Sequence, residues 1–88
     1  MNKFQYKPYY KYNGPTPSNP LREELSQEEA EERVRCFFED IVHYFEENIS
    51  INKEGDIVSI SGDIAQSDCD ELVKKCLSSL DLFAHKVP

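Results

Sequence analysis

The sequence predicts an α+β fold in which two helices flank a β-hairpin, in the order α-β-β-α. Apolar residues recur with helical spacing in two stretches, 26–47 and 67–84, and they alternate with polar residues between them, over 49–60. We also expect an N-terminal strand at the edge of the sheet, which gives the order β-α-β-β-α. A chain of 88 residues is long enough for one small domain.

The first predicted helix begins in "LSQEEA", where Ser26 is the N-cap and Glu29 completes a capping box. It continues to about Glu47. Its apolar residues fall in one arc of about 160° at helical spacing. They are Ala30, Val34, Phe37, Phe38, Ile41, Val42, Tyr44 and Phe45. Because one hairpin and one helix cover less than this arc, we expect either the N-terminal segment to pack on it or the protein to form a homodimer.

The hairpin is predicted from "ISINKEGDIVSISGDI". A two-residue turn at 54–55, or a four-residue loop at 53–56, gives one apolar face. The predicted cross-strand pairs are Ile51 with Val58 and Ile49 with Ile60. Glutamate is a poor first residue for the turns that favour hairpins, so the turn type stays open.

The second predicted helix has Ser67 or Asp68 as its N-cap, and Lys86 and Pro88 follow its end. Its apolar stripe consists of Cys69, Leu72, Val73, Cys76, Leu77, Leu80, Phe83 and Ala84. Cys69 and Cys76 are therefore expected in the core, where free cysteine packs as a small hydrophobe. With Cys36 they make an odd number, without zinc-type spacing, so we expect reduced thiols and a cytoplasmic protein.

The N-terminal stretch "KFQYKPYYKY" (3–12) alternates aromatic and polar residues, and the break "NGPTPSNP" (13–20) follows it. The chain thus divides into a basic aromatic segment with a Pro-rich linker, 1–20, and an acidic α+β domain, 21–88. The stretch is predicted to be an edge strand, because Pro8 has no N–H to donate to a neighbouring strand. Its aromatic residues Phe4, Tyr6, Tyr10 and Tyr12 would then close the core. A tail that orders only on a partner is the second interpretation.

The charge of −7 is unevenly distributed. Residues 1–22 include four basic and no acidic side chains, whereas residues 23–88 include six basic and seventeen acidic ones. An acidic domain repels phosphate and attracts basic surfaces, so nucleic acid is not expected to bind the domain itself. The chain contains no apolar run of the roughly 20 residues that a membrane span needs and no signal peptide, so no membrane association is expected.

The sequence contains no phosphate-binding glycine loop and no serine-hydrolase or zinc-protease motif. Cys36, Glu39, Asp40, His43 and Glu47 share one face of the first predicted helix, and His and carboxylates one turn apart can bind a divalent cation. The apolar stripe of the second helix offers no partner ligands, which favours a solvated acidic face instead. We expect no catalytic residue, no metal site and no cofactor, and hence no enzyme.

The function predicted from these observations is that of a small acidic protein-binding module. Its carboxylates would dock on a basic, nucleic-acid-binding surface of a partner protein and inhibit it. The predicted partner-binding residues are Glu32, Glu39, Asp40, Glu46 and Glu47. In size, acidity and absence of catalytic motifs the chain resembles small phage-encoded inhibitors and nuclease immunity proteins, a resemblance that implies an anti-defence or immunity function and extends to no particular residue.

The alternative prediction is a nucleic-acid-associated regulator that uses the N-terminal segment. Aromatic side chains stack on unpaired bases, and interleaved lysines contact phosphates. The predicted nucleic-acid-binding residues are Lys3, Tyr6, Lys7, Tyr10 and Lys11.

Overall fold

The computed structural model describes residues 2–15, 17 and 20–88. Its elements are β1 (Asn2–Tyr9), α1 (Gln27–Asp40), a 3-10 turn (Ile41–Tyr44), β2 (Ser50–Glu54), β3 (Ile57–Gly62), α2 (Gln66–Ser79) and β4 (Phe83–Val87). The chain is α+β, as predicted. The order β-α-β-β-α is wrong, because a fourth strand follows α2 and the antiparallel sheet has the order β2-β3-β1-β4. This is the βαββαβ arrangement of ferredoxin-like domains.

The strand β1 lies in the centre of the sheet, so the predicted edge position is wrong. It pairs with β3 over residues 2–6 and with β4 over residues 5–9. The proline argument fails because Pro8 lies beyond the end of the β3 pairing, where one side of β1 is free and no N–H is needed. Phe4 and Tyr6 face the helices, as the predicted alternation requires.

The start of α1 is as predicted. The Ser26 hydroxyl accepts a hydrogen bond from the Glu29 amide at 3.2 Å, and the Glu29 carboxylate accepts one from the Ser26 amide at 3.3 Å. These two bonds satisfy two of the amide groups that a helix N-terminus leaves without intrahelical partners.

The end of α1 differs from the prediction, because the helix stops at Asp40 rather than at about Glu47. The 3-10 turn that follows has about three residues per turn and rotates the chain relative to an α-helix. Ile41 is fully buried, as predicted, whereas Val42, also predicted to face the core, is 45% exposed.

The hairpin is present, but its turn lies one residue further on than predicted. Gly55 and Asp56 form the turn, and Ile51 pairs with Ile60 instead of Val58. Gly55 has a φ of 66°, the conformation that the first turn residue of a type II′ hairpin requires and that glutamate adopts poorly. The apolar faces still match, because the partner residue moves by two positions.

The helix α2 ends at Ser79, so Phe83 and Ala84 belong to β4 and not to the helical stripe. Two backbone hydrogen bonds end the helix. The Leu82 amide donates to the Leu77 carbonyl at 2.9 Å, and the Asp81 amide donates to the Ser78 carbonyl at 3.3 Å. This is a Schellman motif in which Asp81, with a φ of 60°, stands where glycine is usual.

The core lies between one face of the sheet and the two helices. Its buried apolar residues are Tyr6, Phe37, Ile41, Val58, Ile60, Cys69, Val73, Cys76, Leu77 and Leu82. The prediction that Cys69 and Cys76 lie in the core is confirmed. Since β1 supplies Tyr6, the aromatic segment covers α1, and the predicted homodimer is not needed for that purpose.

Two tyrosines hold the described residues that lie between β1 and α1. The Tyr10 hydroxyl accepts a hydrogen bond from the Leu25 amide at 3.0 Å, and the Tyr12 hydroxyl donates one to the Arg22 carbonyl at 3.1 Å. A guanidinium nitrogen of Arg22 lies 2.8 Å from the carboxylate of Asp81, without the alignment of a hydrogen bond. The contact of Arg22 with Asp81 ties this part of the chain to the turn between α2 and β4.

Candidate interaction surfaces

The exposed side of α1 forms an acidic surface. Its carboxylates are Glu28, Glu29, Glu31, Glu32, Glu39 and Asp40. The two arginines of the helix are both engaged: Arg33 donates to the Leu80 carbonyl at 2.9 Å, and Arg35 pairs with two carboxylates of the acidic surface. With six carboxylates and two arginines, the acidic surface carries a net negative charge.

The structure separates the five predicted partner-binding residues into two groups. Glu32, Glu39 and Asp40 are exposed on α1, whereas Glu46 and Glu47 are exposed in the loop after the 3-10 turn. The five residues therefore do not lie along one helix, because α1 ends at Asp40 and its 14 residues span about 20 Å at 1.5 Å each.

The residues considered as metal ligands in the sequence do not share one helical face, because His43 and Glu47 lie beyond the end of α1. Over residues 2–15, 17 and 20–88, no group of three or more His, Cys, Asp or Glu side chains is placed to hold a metal ion.

The other face of the sheet carries no helix within the described chain, and we call it the open face. It carries an aromatic group in which the rings of Tyr9 and His85 stack at 4.4 Å and those of Tyr9 and Phe83 at 5.8 Å. Lys3 and Lys7 lie on the same face of β1, because they alternate with the core residues of that strand.

The predicted nucleic-acid-binding residues do not share one surface. Lys3 and Lys7 are exposed on the open face, and Lys7 forms an ion pair with Asp56 at 3.3 Å. Lys11 is exposed after the end of β1. Tyr6 is buried, with 3% of its surface exposed, and Tyr10 is partly buried with its ring packed against the core, so neither ring is fully available to stack on a base.

A polar network joins β1, α2 and β4. The Tyr6 hydroxyl donates to the carboxylate of Asp70 at 2.6 Å, and Lys86 donates to the other oxygen of that carboxylate. Burial, together with the bond to Asp70, raises the pKa of Tyr6. Desolvation acts to raise the pKa of Asp70, but the bonds from Lys86 and Tyr6 outweigh it and lower that pKa. Asp70 is thus held as an anion between two donors.

A cleft of about 360 Å³ opens between α2 and β4, next to this network. The apolar part of its lining includes Val73, Leu77, Leu82 and Ala84, and the polar part includes Asp70, Lys74, Ser78 and Lys86. Five of these residues, 70, 73, 74, 77 and 78, lie at helical spacing on one side of α2. The cleft has an apolar floor and a charged rim.

The buried cysteines are chemically quiet. Burial raises the pKa of the Cys69 thiol, and it raises the pKa of the Cys76 thiol to about 11. A neutral thiol is a poor nucleophile and a poor metal ligand, so both residues act as packing groups. Cys36, in contrast, is partly exposed.

The functional features that sequence reasoning missed all involve β4. Phe83, His85 and Val87 alternate with Ala84 and Lys86, which is the period of a strand. The signal was hidden because Phe83 and Ala84 also continue the helical stripe of α2. Asp81, whose backbone is left-handed, is the residue that separates α2 from β4, and aspartate is one of the few residue types that adopt this conformation.

Comparison with protein families, curated proteins and solved structures finds no significant match to this chain. Neither helix in the described part of the chain is both long and apolar enough to cross a membrane.

Proposed function

We propose that the protein is a non-catalytic protein-binding module that docks its acidic surface on a basic surface of a partner protein. The observation that carries this proposal is which groups the two arginines of α1 bind. Arg33 is turned to a backbone carbonyl, and Arg35 is shared between Glu32 and Glu39. Within the described chain the other carboxylates of the acidic surface form no ion pair. Such a surface gains electrostatic energy when another molecule supplies the cations.

The partner class that fits best is a protein whose basic surface binds nucleic acid. At 3.4 Å per step of one DNA strand, α1 is as long as about six steps, and it carries six carboxylates. A protein docked there would exclude the nucleic acid. The proposed activity is therefore inhibition of the anti-defence or immunity type.

The competing explanation is that the acidic residues only keep a small domain soluble. Two variants of equal net charge separate the two ideas. One carries Glu28→Lys and Glu39→Lys on the acidic surface. The other, the control, carries Glu23→Lys and Glu54→Lys, at exposed positions outside α1.

The immobilised wild-type protein and both variants are used to capture proteins from the native cell at low and at high salt. We expect the wild type and the control to retain the same basic protein at low salt and to release it at high salt, because salt screens exposed charges. The acidic-surface variant should not retain it. Equal capture by both variants would show that docking does not use α1, and a captured protein without a basic surface would also contradict the proposal.

A second candidate function, binding of single-stranded nucleic acid, is favoured by one observation on the open face. Tyr9 stacks there on both Phe83 and His85, and Lys3 and Lys7 lie on the same face. Stacking of a base on an aromatic side chain contributes about 1–3 kcal/mol. The acidic character of the remaining chain opposes it.

Fluorescence anisotropy with labelled oligo-dT and oligo-U tests this candidate. Tyr9→Ser with Phe83→Ser should abolish binding, whereas Tyr12→Ser, in the segment after β1, should not. Binding by the wild type that survives removal of Tyr9 and Phe83 would place the nucleic acid elsewhere. No binding at low salt would end the candidate.

A further inference from the structure

The edge of the sheet formed by β4 is free. β4 pairs with β1 on one side, and it is the last strand in the order β2-β3-β1-β4. Its other side meets no strand within residues 2–15, 17 and 20–88. A free edge presents unpaired N–H and C=O groups, which form a template for an added strand.

The proline in β1 indicates which N–H groups face this edge. Pro8 pairs with Ala84, and Pro8 has no N–H to donate. The pair therefore fits the antiparallel pair type in which neither residue bonds to its partner. Since pair types alternate along the strands, Ala84 and Lys86 direct their N–H groups away from β1, toward the free edge.

The cleft described above lies directly beside this edge. β4 forms one wall and α2 the other, and the floor is apolar, with Val73 and Leu77 among its residues. A strand added to β4 would direct every second side chain to the helix side of the sheet, where the cleft lies. Backbone pairing and a side-chain pocket are thus available in the same place, which is the arrangement used when a domain binds an extended peptide.

The charges at the rim of the cleft select the occupant. Asp70 is already bound by Tyr6 and Lys86, whereas Lys74 forms no ion pair within the described chain. The charge that remains without a partner at the rim is therefore the positive charge of Lys74. A second copy of β4 would bring His85 and Lys86 and no acidic residue, so it lacks the complementary charge.

We propose that an extended segment of a partner protein pairs with β4 as a fifth strand, places an apolar side chain in the cleft, and sets an acidic side chain against Lys74. This site is on a different part of the molecule from the acidic surface. It stands whether or not the acidic surface docks on a basic partner.

The first step of the test is a selection from a random hexapeptide library displayed on phage, with the wild-type protein as bait. The enriched hexapeptides are then synthesised with a fluorescent label, and their binding is measured by anisotropy. We expect enriched sequences that combine β-branched or aromatic residues with at least one acidic residue. Failure to enrich any sequence, or enrichment of basic sequences, would overturn the proposal.

Four variants then locate the peptide. Ala84→Pro removes an N–H from the free edge, at a position where an edge strand accepts proline, and Ala84→Val adds similar bulk but keeps the N–H. Lys74→Glu reverses the charge of the rim, and Lys75→Glu makes the same charge change at an exposed position of α2 that pairs with Glu71.

We expect Ala84→Pro to abolish binding and Ala84→Val to retain most of it. Lys74→Glu should weaken binding about tenfold, with Lys75→Glu within about twofold of the wild type. Circular dichroism checks that each variant folds; if Ala84→Pro does not, the two lysine variants decide. Equal binding by the two lysine variants would refute the role of Lys74. A wild-type dimer in sedimentation that Ala84→Pro converts to a monomer would assign the edge to a second copy and overturn the proposal.

Discussion

The hydrogen bond between Tyr6 and Asp70 gives a prediction whose size follows from the surroundings of both groups. Tyr6→Phe removes only the hydroxyl, and the ring stays in the core. A hydrogen bond to a charged group contributes about 1.5–3 kcal/mol to stability. Asp70 keeps its bond from Lys86, and its side chain is 32% exposed, so water can reach the carboxylate. We therefore expect the lower end, a loss of about 1.5 kcal/mol in the free energy of unfolding.

The loss should depend on pH. The pKa of Asp70 is lowered in the folded protein, so its contribution to stability is complete above the ordinary value of 3.8 and disappears as the pH falls through the lower folded value. Tyr6→Phe removes one cause of that lowering. The difference between variant and wild type should accordingly be largest near pH 7 and should shrink as the pH falls below 3.8 and Asp70 takes up its proton.

Urea unfolding followed by circular dichroism measures this difference at a series of pH values. For a domain of this size, 1.5 kcal/mol corresponds to about 6–12 °C in Tm, well above experimental error. Tyr9→Phe is the matched control, because the Tyr9 hydroxyl donates no hydrogen bond to another described residue. Equal losses in the two variants, or a loss in Tyr6→Phe that does not change with pH, would refute the proposed bond.

Three further predictions concern the core, the thiols and the hairpin. Phe37→Ala should cost about 3–5 kcal/mol in urea unfolding, since Phe37 is fully buried. Phe38→Ala should cost clearly less, because Phe38 is half-buried under the Lys53 ammonium, and equal costs would contradict the helix orientation. A thiol reagent should modify Cys36 in the native protein and the other two cysteines only after unfolding. Because the pKa of Cys76 is raised from 9.0 to about 11, Cys76 should contribute a fall in stability of up to about 3 kcal/mol between those pH values. Cys76→Ala should remove this part of the alkaline loss and leave the part that comes from Cys69 and Tyr6. Gly55→Ala should lower the free energy of unfolding by about 1 kcal/mol, because alanine is strained at a positive φ. The Tm should fall accordingly, and an unchanged Tm would argue against the turn at Gly55.

Local chemistry predicted the parts of the fold that short-range signals control. The capping box at Ser26 and the helical stripe from Cys69 to Leu77 are properties of a few neighbouring residues, and both are present. The alternation at the N-terminus correctly predicted a strand with Tyr6 toward the core. The stripe and the alternation are reliable because each depends on burial of one face, and the capping box because it depends on hydrogen bonds within one turn. None of them depends on the position of the element in the sheet.

The parts that failed depend on partners that are distant in sequence. The position of β1 is fixed by pairing with β4, and β4 was hidden because Phe83 fits both a helical and an alternating pattern. The end of α1 at Asp40 has no glycine or proline to mark it. For the candidate surfaces, sequence spacing gave the exposure of Glu32 and Glu39 but could not give the cleft, which requires the relative placement of α2 and β4.

The central position of β1 also limits how the chain can fold. The hairpin of β2 and β3 and the two helices use contacts between near neighbours, and such contacts form early and fast. β1 is translated before the other described elements, yet its second partner strand, β4, is the last of them along the chain. Pairing two strands that are this far apart in sequence costs loop-closure entropy before any contact between them compensates it. We therefore expect the sheet to close late in folding, with a rate nearer to that of β-rich domains than to that of helical bundles.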